Sequence, residues 1–138
     1  MSLEEIFGDE APGPLVRAID HVVLTVRDID EACEFYARVL GLEVVTFAGG
    51  RRALQVGAQK INLQTIGMEP RNHACIGSGD LCLITDATPT EVVARLHEQR
   101  VAVVEGPVEK TGARGTITSV YFNDPWGNLI EVSSYGAA

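Results

Sequence analysis

Four polar side chains, His21, Gln64, Asp80 and Glu131, stand in short β-rich runs beside apolar neighbours: Val22 next to His21, Leu63 next to Gln64, Leu81 next to Asp80, and Ile130 with Val132 around Glu131. Successive residues of a strand point to opposite faces, so all four are expected on the face turned away from the apolar core. A carboxylate taken out of water costs free energy unless it is paired or bound to a cation. Two carboxylates, an amide oxygen and an imidazole converging on one cleft therefore point to a divalent metal ion, with His21, Gln64 and Glu131 as ligands and Asp80 as a further candidate. One nitrogen and three oxygen donors suit Ni, Zn, Mn or Co alike. Each residue also has a plainer reading. A lone His at a strand start is commonly a hydrogen-bonded structural residue, an amide can simply satisfy nearby backbone, and Asp80 can cap its strand or orient His21 instead of binding the ion.

The elements that must position these residues recur. The stretch 18–26 is β-rich; Asp28 then offers an N-cap with Glu31 three positions on, and Ala32, Phe35, Tyr36, Val39 and Leu40 follow at helical spacing up to Gly41. Three strands are expected after it, at 42–47, 52–56 and 60–66, with the Gly49-Gly50 pair as a turn. A connector over 67–79 leads to a second round: a strand at 81–85, and a helix capped by Thr88 with Pro89 at its first position and Glu91 at its third. Strands at 101–104, 115–123 and 128–133 complete it, with a longer loop around 109–115. Leu24 falls on Leu83, Leu42 on Val101 and Val44 on Val103 at one offset, which marks an internal duplication. The same offset sets His21 on Asp80, and the extra loop residues then set Gln64 on Glu131. The expectation is an α+β fold: two βαβββ modules, at about 17–66 and 79–135, whose curved mixed sheet bends around a cleft. Residues 1–16, acidic and carrying Gly8, Pro12, Gly13 and Pro14, read as a flexible lead-in to a single domain over 17–138.

Bulk composition narrows the partners. A chain of 138 residues can bury a real core without disulfide staples. A formal net charge of -8 repels phosphate backbones and anionic lipid, so neither nucleic acid nor a membrane is an expected partner. No apolar run is long enough to span a bilayer, and no signal peptide is found at the N-terminus. The odd set Cys33, Cys75 and Cys82 lacks metal-type spacing and suits a reducing compartment, which points to the cytoplasm.

Three stretches carry a family resemblance: the run from Asp20 through His21 to Val26, the pair Phe35-Tyr36 with Leu40-Gly41-Leu42, and the run from Tyr121 through Asp124-Pro125-Trp126-Gly127-Asn128 to Glu131. Together they resemble the vicinal-oxygen-chelate superfamily of glyoxalases, bleomycin-resistance proteins and dioxygenases. The runs Asp80-Leu81-Cys82-Leu83-Ile84-Thr85 and Glu105-Gly106-Pro107-Val108 look closest to its glyoxalase-domain-containing group. The resemblance implies two paired modules and a homodimer. It matches His21 and Glu131 to the first and last metal-ligand positions, and Gln64 to a position where lactoylglutathione lyases carry Gln or Glu. Asp80 departs from the His of many relatives, which weighs against ferrous dioxygenase chemistry. Tyr121 matches a substrate-facing tyrosine of fosfomycin-modifying enzymes, and His73 lies in a connector where closer relatives carry His. Arg114, in a glycine-flanked loop, is a candidate clamp for an anionic substrate, with surface solvation as its plainer reading.

The function so implied is that of a metal-dependent lyase or isomerase of glyoxalase type. Its substrate would be a small oxygenated molecule that chelates the ion, with Glu131 as the catalytic base. Two alternatives share the cleft: a metal-free, bleomycin-resistance-like protein that sequesters a small molecule, and a fosfomycin-type thiol transferase.

Overall fold

A computed structural model describes residues 13–136, so most of the acidic lead-in lies outside the described residues. The first module runs β1 (His21–Thr25), α1 (Ile29–Leu40), β2 (Glu43–Phe47), β3 (Arg51–Val56) and β4 (Gln59–Gln64); the second runs β5 (Asp80–Ile84), α2 (Pro89–Glu98), β6 (Glu105–Gly112), β7 (Gly115–Asn123) and β8 (Leu129–Ser134). The helix ends follow from their capping residues. Asp28 accepts a hydrogen bond from the Glu31 N–H, Gly41 closes α1 in the left-handed region at φ 70°, and Thr88 accepts from the Glu91 N–H with Pro89 opening α2. Gly49 and Gly50, at φ 72° and 79°, turn β2 back onto β3.

Each module is one four-stranded mixed sheet, in the order β1-β4-β3-β2 and β5-β8-β7-β6. In each, the first strand pairs in parallel with the last and the remaining pairs are antiparallel. Leu24, Val26, Leu54, Ile61 and Leu63 of the first sheet and Val120, Phe122, Ile130 and Val132 of the second share one core with Phe35, Tyr36, Val39 and Leu96 of the helices. The expected α+β architecture, two strand-helix-three-strand modules, is therefore the one observed. No described helix is long and apolar enough to cross a membrane.

One strand is not where the apolar pattern puts it. Val101 and Val103 pack against the core, but 101–104 is not a strand, and the ladder partner of β7 is Glu105–Gly112, much of which reads as a loop. β6 lies at the edge of its sheet with alternating half-buried positions, so it needs backbone pairing and not an apolar run. The turn that follows it is only Ala113-Arg114.

The modules are stitched together by the turn at 124–128. The Asp124 carboxylate, buried at 4% exposure, accepts hydrogen bonds from the Tyr36 hydroxyl of α1 (2.8 Å), from the backbone N–H groups of Trp126 and Asn128, and from the Asn128 amide (2.9 Å). Asn128 in turn donates to the Thr25 carbonyl at the end of β1 and accepts from the Gly79 N–H at the start of β5. The far end of β1 thus meets the near end of β5, while His21 at the start of β1 shares a cavity with Leu81, Cys82 and Leu83. The two strands run in opposite directions along a seam.

Candidate functional site

The face of each sheet turned away from its helix carries the candidate residues among polar and apolar neighbours. On the first sheet it presents His21, Val23 and Thr25 of β1, with Lys60, Asn62 and Gln64 opposite them on β4. On the second it presents Asp80, Cys82 and Ile84 of β5, with Leu129, Glu131 and Ser133 opposite on β8.

His21 Nδ1 lies 2.8 Å from the Asp20 carboxylate, and its side chain is 44% exposed. A carboxylate accepting from the Nδ1–H orients the imidazole and leaves the Nε2 lone pair free, the arrangement common to metal-binding histidines. The ring lines a cavity of about 150 Å³ with Lys60, Leu81 and Cys82 among its walls. Cys82, which lines the His21 cavity, is the register partner of Glu131 on β8. Burial raises the Cys82 thiol above its ordinary range, and it donates to the Ser133 hydroxyl at 3.4 Å, which makes it a neutral thiol.

Glu131 is held in place by hydroxyls. Ser119, fully buried, donates to its Oε2 at 2.5 Å, and Ser133 donates to the same oxygen at 3.3 Å. Tyr121 is the register partner of Glu131 on β7. Desolvation, and then the neighbouring Glu131 carboxylate, push the Tyr121 phenol up to about 12, so it stays a protonated donor.

The register revises the repeat. With β5 laid on β1, the pairs Val23–Asn62 and Cys82–Glu131 coincide, as do Thr25–Gln64 and Ile84–Ser133. Two further hydrogen bonds agree: Val26 N–H to the Gln64 carbonyl matches Thr85 N–H to the Ser133 carbonyl, each at 2.9 Å. Asn62, and not Gln64, is therefore the repeat mate of Glu131. Asn62 is 5% exposed, and its side-chain oxygen is buried with no hydrogen-bond partner. Gln64, by contrast, donates to the Thr25 hydroxyl at 2.9 Å and exchanges longer contacts with Asn72.

The remaining candidates are dispersed. Asp80 is exposed at the start of β5 opposite Leu129, and His73 is exposed in the connector. Arg114 stacks on the Tyr135 ring at 4.3 Å, in a pocket lined by Thr85, Asp86 and Ser134 and not by His21 or Glu131. Among the described residues, no three His, Cys, Asp or Glu side chains gather closely enough to hold a metal ion.

A model of the Glyoxalase/Bleomycin resistance protein/Dioxygenase superfamily matches residues 18–132. The chain belongs to this superfamily. His21 and Glu131 both lie inside the match. The chain is 49% identical over 124 residues to virulence protein STM3117 of Salmonella typhimurium, covering 88% of this chain and 86% of that protein. The crystal structure of that relative superposes with a TM-score of 0.83, covering 89% of this chain and all of that one. The glyoxalase domain-containing protein RDO1 of Mycosarcoma maydis is 47% identical, over 87% of this chain and 69% of that protein. A lactoylglutathione lyase from Agrobacterium tumefaciens is 28% identical with a TM-score of 0.70, covering 89% of this chain and 96% of that one. Within the superfamily fold, the residues not singled out from sequence are Asp20, Asn62, Ser119 and Ser133. Asn62 had a readable signal: Ile61-Asn62-Leu63 lies on Ile130-Glu131-Val132 residue for residue.

Proposed function

We propose that this chain is a metal-dependent lyase or isomerase of glyoxalase type, acting on a small substrate with oxygens on adjacent carbons. The observation that carries the reading is the orphaned Asn62 oxygen. A buried amide oxygen without a donor costs free energy, and here it stands at the repeat mate of Glu131 on the same open face as His21. An imidazole nitrogen, an amide oxygen and a carboxylate fit Ni, Zn, Mn or Co. His21 Nε2, the Asn62 oxygen and the Glu131 carboxylate are the groups that would hold the ion. A bound ion would polarise a substrate carbonyl and so acidify the neighbouring C–H.

The chain's own residues then divide the proton work. Glu131 takes the proton from one carbon and returns it to the next, and the Ser119 hydrogen bond keeps its carboxylate aimed while it does so. Tyr121, protonated up to about 12, donates toward charge that develops on a substrate oxygen. Superfamily membership and the likeness to a lactoylglutathione lyase support the assignment. We further propose that the working form is a homodimer, because Val23 and Ile84 leave apolar side chains exposed on the two open faces that carry His21 and Glu131.

The test is proton exchange. Incubated in D2O with a panel of α-hydroxy and α-keto carbonyl compounds, metal-loaded protein should exchange the carbon-bound proton of at least one, and Glu131→Gln should not. Stabilisation against heat by organic ligands but by no divalent ion would favour sequestration instead.

A further inference from the structure

The open face of the first sheet carries a pair of cations, Lys60 of β4 and Arg51 of β3. The chain is acidic overall, and among the described residues four of its eleven Lys and Arg side chains make ion pairs. Arg38 pairs with Glu34, Arg52 with Asp30, Arg71 with Glu69 and Lys110 with Glu105, while Arg114 stacks on Tyr135. Lys60 and Arg51 make no ion pair among the described residues. Both are applied to one aromatic ring: the Lys60 ammonium sits 3.5 Å from the Phe47 centroid and the Arg51 guanidinium 5.1 Å from it.

The register shows how this arises. Lys60 is the β4 partner of His21, whereas Phe47 pairs with Arg51 at the other end of the same open face. To reach Phe47, the lysine stem must run diagonally across the sheet over Ala53, which is fully buried although it belongs to the open face. The ring quadrupole attracts each cation, but the two cations repel one another. Glu69, the acid whose carboxyl feels Arg51, accepts three hydrogen bonds from Arg71, and that hydrogen bonding first of all holds it down at about 2. Glu43, on the open-face row of Lys60, is separated from it by Gln55. Two cations that lie over one ring and make no ion pair among the described residues are both available to an anion.

We propose that Lys60 and Arg51 bind the oxyanion group, a carboxylate or a phosphonate, of a small organic anion, at the end of the open face away from the seam. Lys60 is the β4 partner of His21 and its stem lines the His21 cavity, but its ammonium lies over Phe47 on the opposite edge strand. The anion site is thus separate from the groups proposed to hold the ion and goes beyond that reading.

The test is made on metal-free full-length protein, so that it fails or succeeds independently of the ion. Acetate and methylphosphonate are titrated by calorimetry, with the heat of dilution subtracted. We expect saturable binding that weakens as sodium chloride is raised, and a roughly tenfold loss of affinity in Arg51→Gln and in Lys60→Met, the size of one charge-assisted contact. Lys60→Met keeps the stem over Phe47, so its loss reports charge and not packing, and Lys60→Arg should restore binding. Arg27→Gln, an exposed cation at the end of β1, should bind as wild type does. The probe that binds more tightly identifies the oxyanion class. No saturable binding of either probe, or equal affinity in wild type and the Arg51→Gln/Lys60→Met double variant, would overturn the proposal.

Discussion

Ser119 shows how much of the site is set by groups that need never touch a substrate. Its hydroxyl is fully buried, 2.5 Å from the Glu131 carboxylate and 2.7 Å from the Ser133 hydroxyl. Ser119→Ala should therefore slow Glu131-dependent proton exchange by roughly tenfold, the value of one charge-assisted hydrogen bond, while divalent-ion affinity changes little. A lost ion would lower both together. Tyr36 supplies a pH prediction. Burial first, and then the Asp124 carboxylate that accepts its hydrogen bond, raise its phenol well above the ordinary value. A raised folded pKa stabilises the fold below the unfolded value of about 10 and loses that stabilisation as pH climbs past it. The melting temperature should fall above about pH 10, and Tyr36→Phe should flatten that fall. His21 and Glu131 were legible as chemistry from residue type and alternation alone. Asn62 carried only the short match of Ile61-Asn62-Leu63 to Ile130-Glu131-Val132, and the count of loop residues pointed to Gln64 instead, because β6 and the β6–β7 turn lie elsewhere than the apolar pattern puts them.

At the scale of the element, β6 and the turn at 124–128 show where pattern reading stops. Helices announce themselves through caps, and Asp28, Gly41, Thr88 and Pro89 marked both of them correctly. An edge strand has no such mark: Glu105–Gly112 is specified by pairing with β7, which no local pattern of eight residues can reveal. Its entry depends on Gly106, at φ 107°, where an added Cβ would collide with the Ser119 carbonyl oxygen. Gly106→Ala combines backbone strain with that collision and should cost about 2 kcal/mol or more, lowering the melting temperature by roughly 5 °C or more. The Asp124 turn was legible as a family mark, but its physical role emerges only from the hydrogen bonds that join it to α1, β1 and β5. Asp124→Ala would leave the buried Tyr36 hydroxyl and Asn128 amide without their acceptor, at a cost of about 3 kcal/mol seen in chemical denaturation.

Across the whole molecule, the two sheets share one core on their helix sides, and their open faces leave apolar Val23 and Ile84 exposed. Ile84 is 54% exposed and Val23 43% exposed on those faces, beside the residues proposed to bind the ion. If a second copy covers them, Val23→Asp or Ile84→Asp should convert a dimer to a monomer in light scattering, with melting cooperativity retained and divalent-ion affinity reduced. The duplication that made the fold readable also carries the central claim, since it names Asn62 as the counterpart of Glu131. The most direct test is calorimetric titration of Mn or Ni into metal-free protein. One site per chain is expected, weakened about 10-fold to 100-fold by Asn62→Ala and left near wild type by Gln64→Ala. No binding by the wild type, or loss on changing Gln64 but not Asn62, would contradict it.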